Sequence, residues 1–600
     1  MRCASATLLL LLGGCAAVSE APESSQIPKA TGAPPSAVLR YDAIVHPVVG
    51  TGGMVVSQNA AASEVGRAIL VAGGNAIDAS VAMGFALAVT LPRAGNIGGS
   101  GFSLLYQPGQ PVVALDFRSA APAAFDPDNY RDAAGGVDTG RLKFGAQGAG
   151  VPGTVAGLFE AWRRGGSLPW PDLLAPAIRL AADGIVVTHD LATALAAEAQ
   201  VFGGIASSRA VFFDPATDQT YRVGSVWKQP ALAASLSAIA REGAATFYSG
   251  ALARRLVAAV QADGGHIAMA DLRDYRVRER QPLAVAYRDR RVVAMPPVSG
   301  GGVTLLQMLN VLQCFDLARY PQGSAASVHL LAEVMKFGAA NRRFGIGDPD
   351  FVSVPVAESL SARVADRLAA RIDLQRAARV SDIRPLHAGA STGPGAGNAK
   401  ESRDTTHYSV VDRWGNAVST TYTLGYSFGG GYIAGDTGIL LDNQMRNFSY
   451  ADPGHANAHR PGKRMMSTMT PTLVFDAAGD LELVTGSPGG GRIINVILQL
   501  LVNVIDYDLN VAEATHAPRV HQPWRSQPLT VEPGVGVDTV ELLDERGHEV
   551  QRQASMGSTQ TIRVRDGLFF GAADPRRPGA LALPVAIGDV GPAASARSAD

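Results

Sequence analysis

Two threonines, Thr405 and Thr423, frame the chemistry open to this sequence. They sit at the ends of "TTHYSVVDRWGNAVSTTYT", where a β-branched and aromatic run, the turn segment "DRWGN" and a second such run read as a β-hairpin. Gly415 and Asn416 can take the positive φ such a turn needs. A hairpin centred on Trp414 sets Thr405 opposite Thr423, with their Cβ atoms about 5 Å apart and their hydroxyls within reach of one another. Alternation then gathers Thr405, His407, Ser409, Ala417, Ser419, Thr421 and Thr423 on a polar face. Thr406, Tyr408, Val410, Val418, Thr420, Tyr422 and Leu424 make the bulkier apolar face, and a slip of one residue would exchange the two.

Threonine is common in strands for steric reasons alone. Position gives this one chemical interest. Directly before it runs "HAGASTGPGAGNAKESRD", His387 to Asp404, which is dense in Gly, Ala and Ser and reads as a flexible linker between two globular halves. A cut between Asp404 and Thr405 would make Thr405 an N-terminus. Its hydroxyl is then a nucleophile, and its own α-amino group, with a reference pKa of about 7.7 to 8.0, is a base suited to neutral pH.

The elements around this hairpin are mixed. "GGMVVSQNAAASEVGRAILVAGG" has helical apolar spacing up to Gly73 and Gly74, and Asn75 is placed to cap a second helix. That helix, "AIDASVAMGFALAVTLP", is apolar nearly all round and belongs in a core. Short strands follow in "FSLLYQ" and "VVALDF", then helices near "VPGTVAGLFEAW" and "ASVHLLAEVMKFGAANRRFG". After the linker the chain turns strand-rich, and from about residue 586 it reads as a disordered tail. Helices and strands are mixed throughout, and no internal repeat is evident.

Composition excludes several functions. The 600 residues are 47% hydrophobic and 18% charged, ordinary values for a large globular core. With 52 basic and 53 acidic residues the net charge is -1, which gives no field for nucleic acid. Residues 1–14 read as a signal peptide too short to span a bilayer, and "LLGGC" ends in a cysteine, Cys15, placed for acylation in the manner of a bacterial lipobox. Residues 15–40, rich in Ala, Ser and Pro, suit a tether. The reading is an exported protein of the periplasm or cell envelope, lipid-anchored through Cys15. Of the remaining two cysteines Cys3 lies in the signal segment, so Cys314 stands alone in the mature chain and its apolar surroundings predict a buried thiol. No metal-ligand motif is evident, His516 and His521 read as structural, and no cofactor is expected.

The ordered segments "TTHYSVVD", "GNAVSTTYTL", "GILLDNQM", "SPGGGR", "NVAEATHAPR" and "MGSTQTI", with "NAIDASVAMGFALAV", "AGNIGGSGF", "DFRSAAP" and "VPGTVAG" before them, resemble the γ-glutamyltranspeptidases. These are the glutathione hydrolases of the N-terminal nucleophile superfamily, and the resemblance covers nearly all of Tyr41 to Ala582. It implies an α+β fold, a four-layer αββα sandwich formed jointly by two autoprocessed subunits that stay associated. The large one spans 41–404, with a flexible linker over 383–404, and the small catalytic one spans 405–600. It further implies Thr405 as nucleophile, Thr423 as its hydrogen-bonding partner, and Gly489 and Gly490 as oxyanion-hole glycines. Arg118 would grip a substrate carboxylate together with Ser467 and Thr468, and Gln444 would stand on the α-amino side.

Two departures weaken the implied amino-acid recognition. Gly425 stands where the family usually has asparagine, and Asn447 where it usually has aspartate, both near the substrate ammonium. The segment from Phe448 to Arg464 is also shorter than in members with a lid loop, which implies an open site. The implied activity is cleavage of γ-glutamyl amides such as glutathione through an acyl-enzyme on Thr405, with transfer to water or to an amine acceptor. A glutaryl-type or poly-γ-glutamyl acylase is the alternative enzyme, and a non-catalytic envelope lipoprotein is the alternative of another class.

Overall fold

The computed structural model describes residues 43–386, 404–524 and 528–591. The signal segment, Cys15, the tether and the linker from residue 387 to 403 lie outside the described residues. From Ile44 onward the described chain forms one compact unit.

Its strands in chain order are β1 (Val48–Gly50), β2 (Gly53–Ser57), β3 (Ser100–Tyr106), β4 (Val113–Phe117), β5 (Arg278–Arg280), β6 (Leu283–Tyr287) and β7 (Arg290–Ala294). After the linker come β8 (Thr406–Asp412), β9 (Ala417–Thr423), β10 (Thr472–Phe475), β11 (Leu481–Thr485), β12 (Gln560–Arg565), β13 (Leu568–Ala573) and β14 (Leu581–Val585). They build two 7-stranded antiparallel sheets, in the orders β14-β2-β8-β9-β3-β4-β5 and β1-β13-β12-β11-β10-β7-β6. Three smaller sheets complete the strand inventory of the described residues.

Helices cover the outer face of each sheet. Over the first lie α1 (Ala60–Val71), α2 (Ala76–Thr90), α3 (Thr154–Gly165) and α4 (Trp170–Asp183), with α5 (His189–Ala197) after them. Over the second lie α6 (Gly300–Leu312), α7 (Ala325–Gly345) and α8 (Ile493–Ile505). The result is the αββα sandwich expected from the sequence. The two halves on either side of the linker are not separate globules, however. Strands from before and after residue 404 are hydrogen-bonded side by side within both sheets, so neither half forms a sheet of its own.

Local chemistry explains the elements nearest the hairpin. Asn75 caps α2 as its sequence suggests: the side chain accepts from the Ile77 and Asp78 amides, while the Asp78 carboxylate accepts from the Asn75 amide. Every residue of α2 is buried, so this helix is the floor on which the hairpin rests. Tyr408, Val410, Val418 and Tyr422 pack toward that helical layer, and the Tyr422 hydroxyl donates to the Gly84 carbonyl at 2.9 Å. Between the sheets a second core joins Met54, Val56, Phe102 and Leu104 to Leu473, Phe475, Val484 and Ile562. Each such fully buried side chain contributes about 1.5–3 kcal/mol relative to exposure.

Three expectations need correction. Cys314 is exposed, because α6 ends at Leu312 and the thiol lies beyond the apolar stripe, 3.6 Å from Asp366 Oδ1. The segment 383–404, expected to be a flexible linker, is packed at its start, where Ile383 is buried and the Leu386 amide donates to Asn341 Oδ1 at 2.9 Å. At the C-terminal end, Ile587–Asp589 form a 3-10 turn and the Gly591 amide donates to the Val71 carbonyl at 2.8 Å, so the packed chain extends past residue 586.

Candidate active site

The β8–β9 hairpin has the register its turn dictates. Thr406 pairs with Tyr422, His407 with Thr421 and Tyr408 with Thr420, which leaves Thr405 opposite Thr423 at the open end. Asp412 fixes that turn. Its Oδ1 accepts from the Trp414 and Asn416 amides, and its Oδ2 accepts from Asn416 Nδ2 and from the Ala76 amide at the head of α2. Only Gly415 of the turn takes a positive φ.

Thr405 and Thr423 are both buried, at 6% and 5% exposure. The Thr405 hydroxyl donates to Thr423 Oγ1 at 3.2 Å, and the Thr423 hydroxyl donates in turn to the Asp404 carbonyl at 3.1 Å. Thr423 Oγ1 also accepts from the Gly425 amide at 3.0 Å. A hydroxyl offers one donor and two acceptor sites, and here all three are used. The Thr405 hydroxyl and the carbonyl of the Asp404–Thr405 bond are thus joined through one side chain.

Gly425 has a backbone role. Its φ is 95°, and a Cβ there would meet Asn443 Oδ1 at 2.4 Å, so the position offers Thr423 an amide while excluding a side chain.

On the neighbouring strand Ser100 pairs with Thr423. Ser100 Oγ accepts from Arg118 Nη1 at 3.3 Å and from Gln444 Nε2 at 2.7 Å, and so draws two distant predicted residues to the threonine pair. Arg118 is almost fully buried, with Nε donating to the Met465 carbonyl at 3.3 Å. Burial pulls its guanidinium down to about 10, opposed by Asp442 and Asp116, so it stays charged at neutral pH. Asp442 is buried as well. Burial pushes its carboxyl up to about 6 against donors from Ser119 and the Gly150 amide and the charge of Arg118. Gln444 Nε2 also donates to Asp442 Oδ2 at 3.0 Å. Its other amide atom, Oε1, is buried and has no hydrogen-bond partner among the described residues. The amide is therefore fixed by its nitrogen and presents an unspent acceptor.

The glycine-rich loop packs against the hairpin. No side chain fits at Gly486, where a Cβ would meet the His407 ring at 2.3 Å, so the loop begins against β8 itself. Burial pulls the His407 imidazole down to about 3, and the neutral ring bridges Thr421 Oγ1 and Ser409 Oγ. Gly489 and Gly490 follow with φ of 133° and 58°, at the entry to the turn that starts α8. Thr468 donates to the Gly490 carbonyl at 2.9 Å and ties that turn to its own segment. Ser467 is buried beside it, its Oγ accepting from the Met469 amide at 3.2 Å.

Asn447 ends the 3-10 turn that carries Gln444 and is partly exposed, its carbonyl accepting from Asn457 Nδ2 at 2.8 Å. From Phe448 to Arg464 the chain folds back on itself. The Ser449 amide donates to the Asn457 carbonyl, and Lys463 Nζ donates to the Ala456 and Ala458 carbonyls.

Sequence reading missed Ser100 and Asp442, single polar residues in motifs chosen for their neighbours. It also missed a set of potential metal ligands, His329, Glu333 and His548, which only folding brings together. These groups already satisfy one another. His329 Nδ1 lies 2.7 Å from His548 Nε2, and Glu333 accepts from Lys336 Nζ at 2.7 Å. The Lys336 ammonium already satisfies that carboxylate and also donates to the Ala378 carbonyl. His521 bonds Asn495 and His516 bonds its own helix, as structural residues do.

A four-layer αββα sandwich with a buried threonine leading a central strand defines a hydrolase fold of the N-terminal nucleophile class. The chain belongs to the γ-glutamyltranspeptidase family, whose model matches residues 62–583. It is 42% identical to the glutathione hydrolase proenzyme of Escherichia coli strain K12, over 94% of this chain and 96% of that protein. It is 37% identical to the acylase ACY 1 proenzyme of Pseudomonas sp. strain V22, over 90% of this chain and 94% of that protein. Among solved structures it resembles the cephalosporin acylase of Bacillus halodurans, with a TM-score of 0.80 and 28% identity over 94% of this chain and 99% of that one.

The Gly425 geometry sets a stability expectation. Gly425→Ala should lower the unfolding free energy by about 1–3 kcal/mol, the usual cost of a side chain forced into the left-handed region. Urea unfolding of the purified protein measures this, and an unchanged midpoint would show that the loop yields without strain.

Proposed function

We propose that the protein is an autoprocessing γ-glutamyl amide hydrolase and transferase acting on glutathione-type substrates, with Thr405 as its nucleophile. The observation that carries this reading is the relay from the Thr405 hydroxyl through Thr423 to the Asp404 carbonyl. In the precursor, attack of Thr405 Oγ on the Asp404 carbonyl carbon replaces the peptide bond by an ester, and water then resolves the ester. The large chain ends at Asp404 and the small chain begins at Thr405.

In the mature enzyme the freed α-amine takes the hydroxyl proton as Oγ attacks the γ-carbonyl of the substrate. The amides of Gly489 and Gly490 receive the oxyanion. The proton passes to the leaving amine, and the ester on Thr405 is resolved by water or by an amine acceptor such as an amino acid or peptide. Arg118, with Ser467 and Thr468, holds the substrate α-carboxylate, a role that suits a buried and still charged guanidinium. Gln444 Oε1, lacking a protein donor, accepts from the α-ammonium. The N-terminal segment with Cys15 supports export and acylation, which would place this chemistry in the cell envelope.

A second reading has its own support. Gly425 carries no side chain and Asn447 no charge, so the ammonium side is less strongly held, and the acylase relatives fit such a change. On that reading glutaryl amides, which lack the amino group, are accepted alongside γ-glutamyl ones.

Processing is tested by denaturing electrophoresis and N-terminal sequencing. Wild type should give two chains, the smaller beginning Thr-Thr-His-Tyr, whereas Thr405→Ala should remain whole. Thr423→Ala should slow both cleavage and turnover by about 10²-fold, the scale of an oriented proton-transfer contact. An uncut yet active wild type would overturn the mechanism.

Specificity is tested at Asn447. A charge-assisted contact to an ammonium contributes roughly 1.5–3 kcal/mol, equivalent to about 10-fold or more in selectivity. Asn447→Asp should therefore shift the ratio of kcat/KM toward γ-glutamyl over glutaryl anilides by that factor. A ratio that does not move would mean that residue 447 does not face the ammonium.

A further inference from the structure

Asp404 is held by a group of residues separate from those that hold Arg118. Ladder pairing in the hairpin starts at Thr406, so Asp404 stands ahead of the strand. Its carbonyl is met by Thr423, and its carboxylate by Arg93, whose Nη2 donates to Asp404 Oδ1 at 2.7 Å. Arg93 follows α2 in the turn "LPRAG" and is itself held from behind. Its Nη1 donates to both carboxylate oxygens of Asp190 in the first turn of α5, at 3.1 and 3.2 Å, and its carbonyl accepts from the Phe428 amide at 3.0 Å. The ion pair with Asp404 is partly buried, with the two side chains 18% and 15% exposed. Arg577 completes the surroundings, its guanidinium influenced by Arg93, Asp404 and Asp190.

We propose that Arg93 is a positioning residue for self-cleavage and not for turnover: its guanidinium clamps and neutralises the Asp404 carboxylate so that the adjacent carbonyl can accept attack by Thr405. This rests on the self-cleavage proposed above and names a residue with which that reading does not deal. As Thr405 Oγ bonds to the Asp404 carbonyl carbon, negative charge gathers on the oxygen facing Thr423. Asp404 already carries one negative charge on the same residue, and a second nearby raises the barrier unless a cation offsets it. The clamp also fixes the direction of the side chain and with it the carbonyl against the Thr423 hydroxyl. Asp190 preorients the guanidinium, so little freedom is lost when Asp404 docks. Once the bond is cut, Asp404 belongs to the end of the other chain, and nothing in the acyl transfer on Thr405 requires it.

The test compares two rates in each variant: appearance of the small chain from freshly made precursor, and kcat/KM of fully processed enzyme on a γ-glutamyl anilide. Arg93→Ala should slow processing by about 10-fold or more while kcat/KM of the processed enzyme stays within about two-fold. Arg93→Lys should lie between Arg93→Ala and wild type, because one ammonium keeps the charge but cannot span Asp190 and Asp404 together. The pair Arg93→Ala with Asp404→Ala should process faster than Arg93→Ala alone, since the carboxylate that Arg93 offsets is gone. If Arg93→Ala does not accumulate as folded protein, Arg93→Lys against wild type decides. Processing at the wild-type rate in Arg93→Ala, or in Arg93→Lys where that variant decides, overturns this proposal and leaves the Thr405 reading intact. A fall in processing matched by an equal fall in kcat/KM also overturns it, as does a double variant no faster than the single one. An uncut wild type overturns both readings.

Discussion

The carboxylate of Asp412 sets the geometry on which the rest depends. One side chain accepts from two amides of its own turn and from the first amide of α2, so it fixes both the register of the hairpin and the docking of that hairpin on the helical layer. Burial pushes this carboxyl up, and the donors around it oppose that shift. Were the register to move by one residue, Tyr408 and Tyr422 would enter the seam between the sheets and the polar residues would face α2. With the register held, Thr405 meets Thr423, Thr423 meets Ser100, and Ser100 gathers Arg118 and Gln444. The site is a sequence of neighbours counted outward from one turn.

The parts legible in the sequence are those written locally. The turn "DRWGN" fixes pairing over a few residues, and Asn75 with Asp78 writes its capping box within one helical turn. The all-apolar α2 announces its burial by the absence of a polar face. What stayed hidden depends on partners far along the chain. The polar face of the hairpin lies in the inter-sheet seam, where Ser409 donates to the Gln560 carbonyl and Ser419 to the Thr485 carbonyl, and no short window shows that those acceptors will be there. Ser100, Asp442 and Arg93 take their meaning from groups hundreds of positions away, Gln444, Ser119 and Asp404 respectively. Cys314 misled because an apolar stripe reads on past the residue where its helix stops.

The electrostatics of the site divide it into two sides. Around Arg118 the protein has buried a permanent cation and placed beside it a carboxyl, Asp442, raised toward neutrality, so the charge there is held tightly with little spare field. Around Asp404, by contrast, Arg93, Asp190 and Asp404 form a partly exposed ion-pair group. The first arrangement suits recognition of a carboxylate at fixed geometry. The second suits a balance that one departing residue can change.

The interleaving of strands has a consequence for the life history of the molecule. In the first sheet β8, β9 and β14 come from after residue 404 and sit among β2, β3, β4 and β5 from before it, and the second sheet is shared in the same way. A break at Asp404–Thr405 leaves every one of these pairings intact, so the folded state hardly registers it. The unfolded state does, because two fragments free to diffuse apart have far more room than one chain, the reverse of what a cross-link does. Folding is unimolecular before the break and bimolecular after it. If the chain is cut there as proposed, a molecule denatured afterwards would have to find its other fragment in solution, and its renaturation would depend on protein concentration.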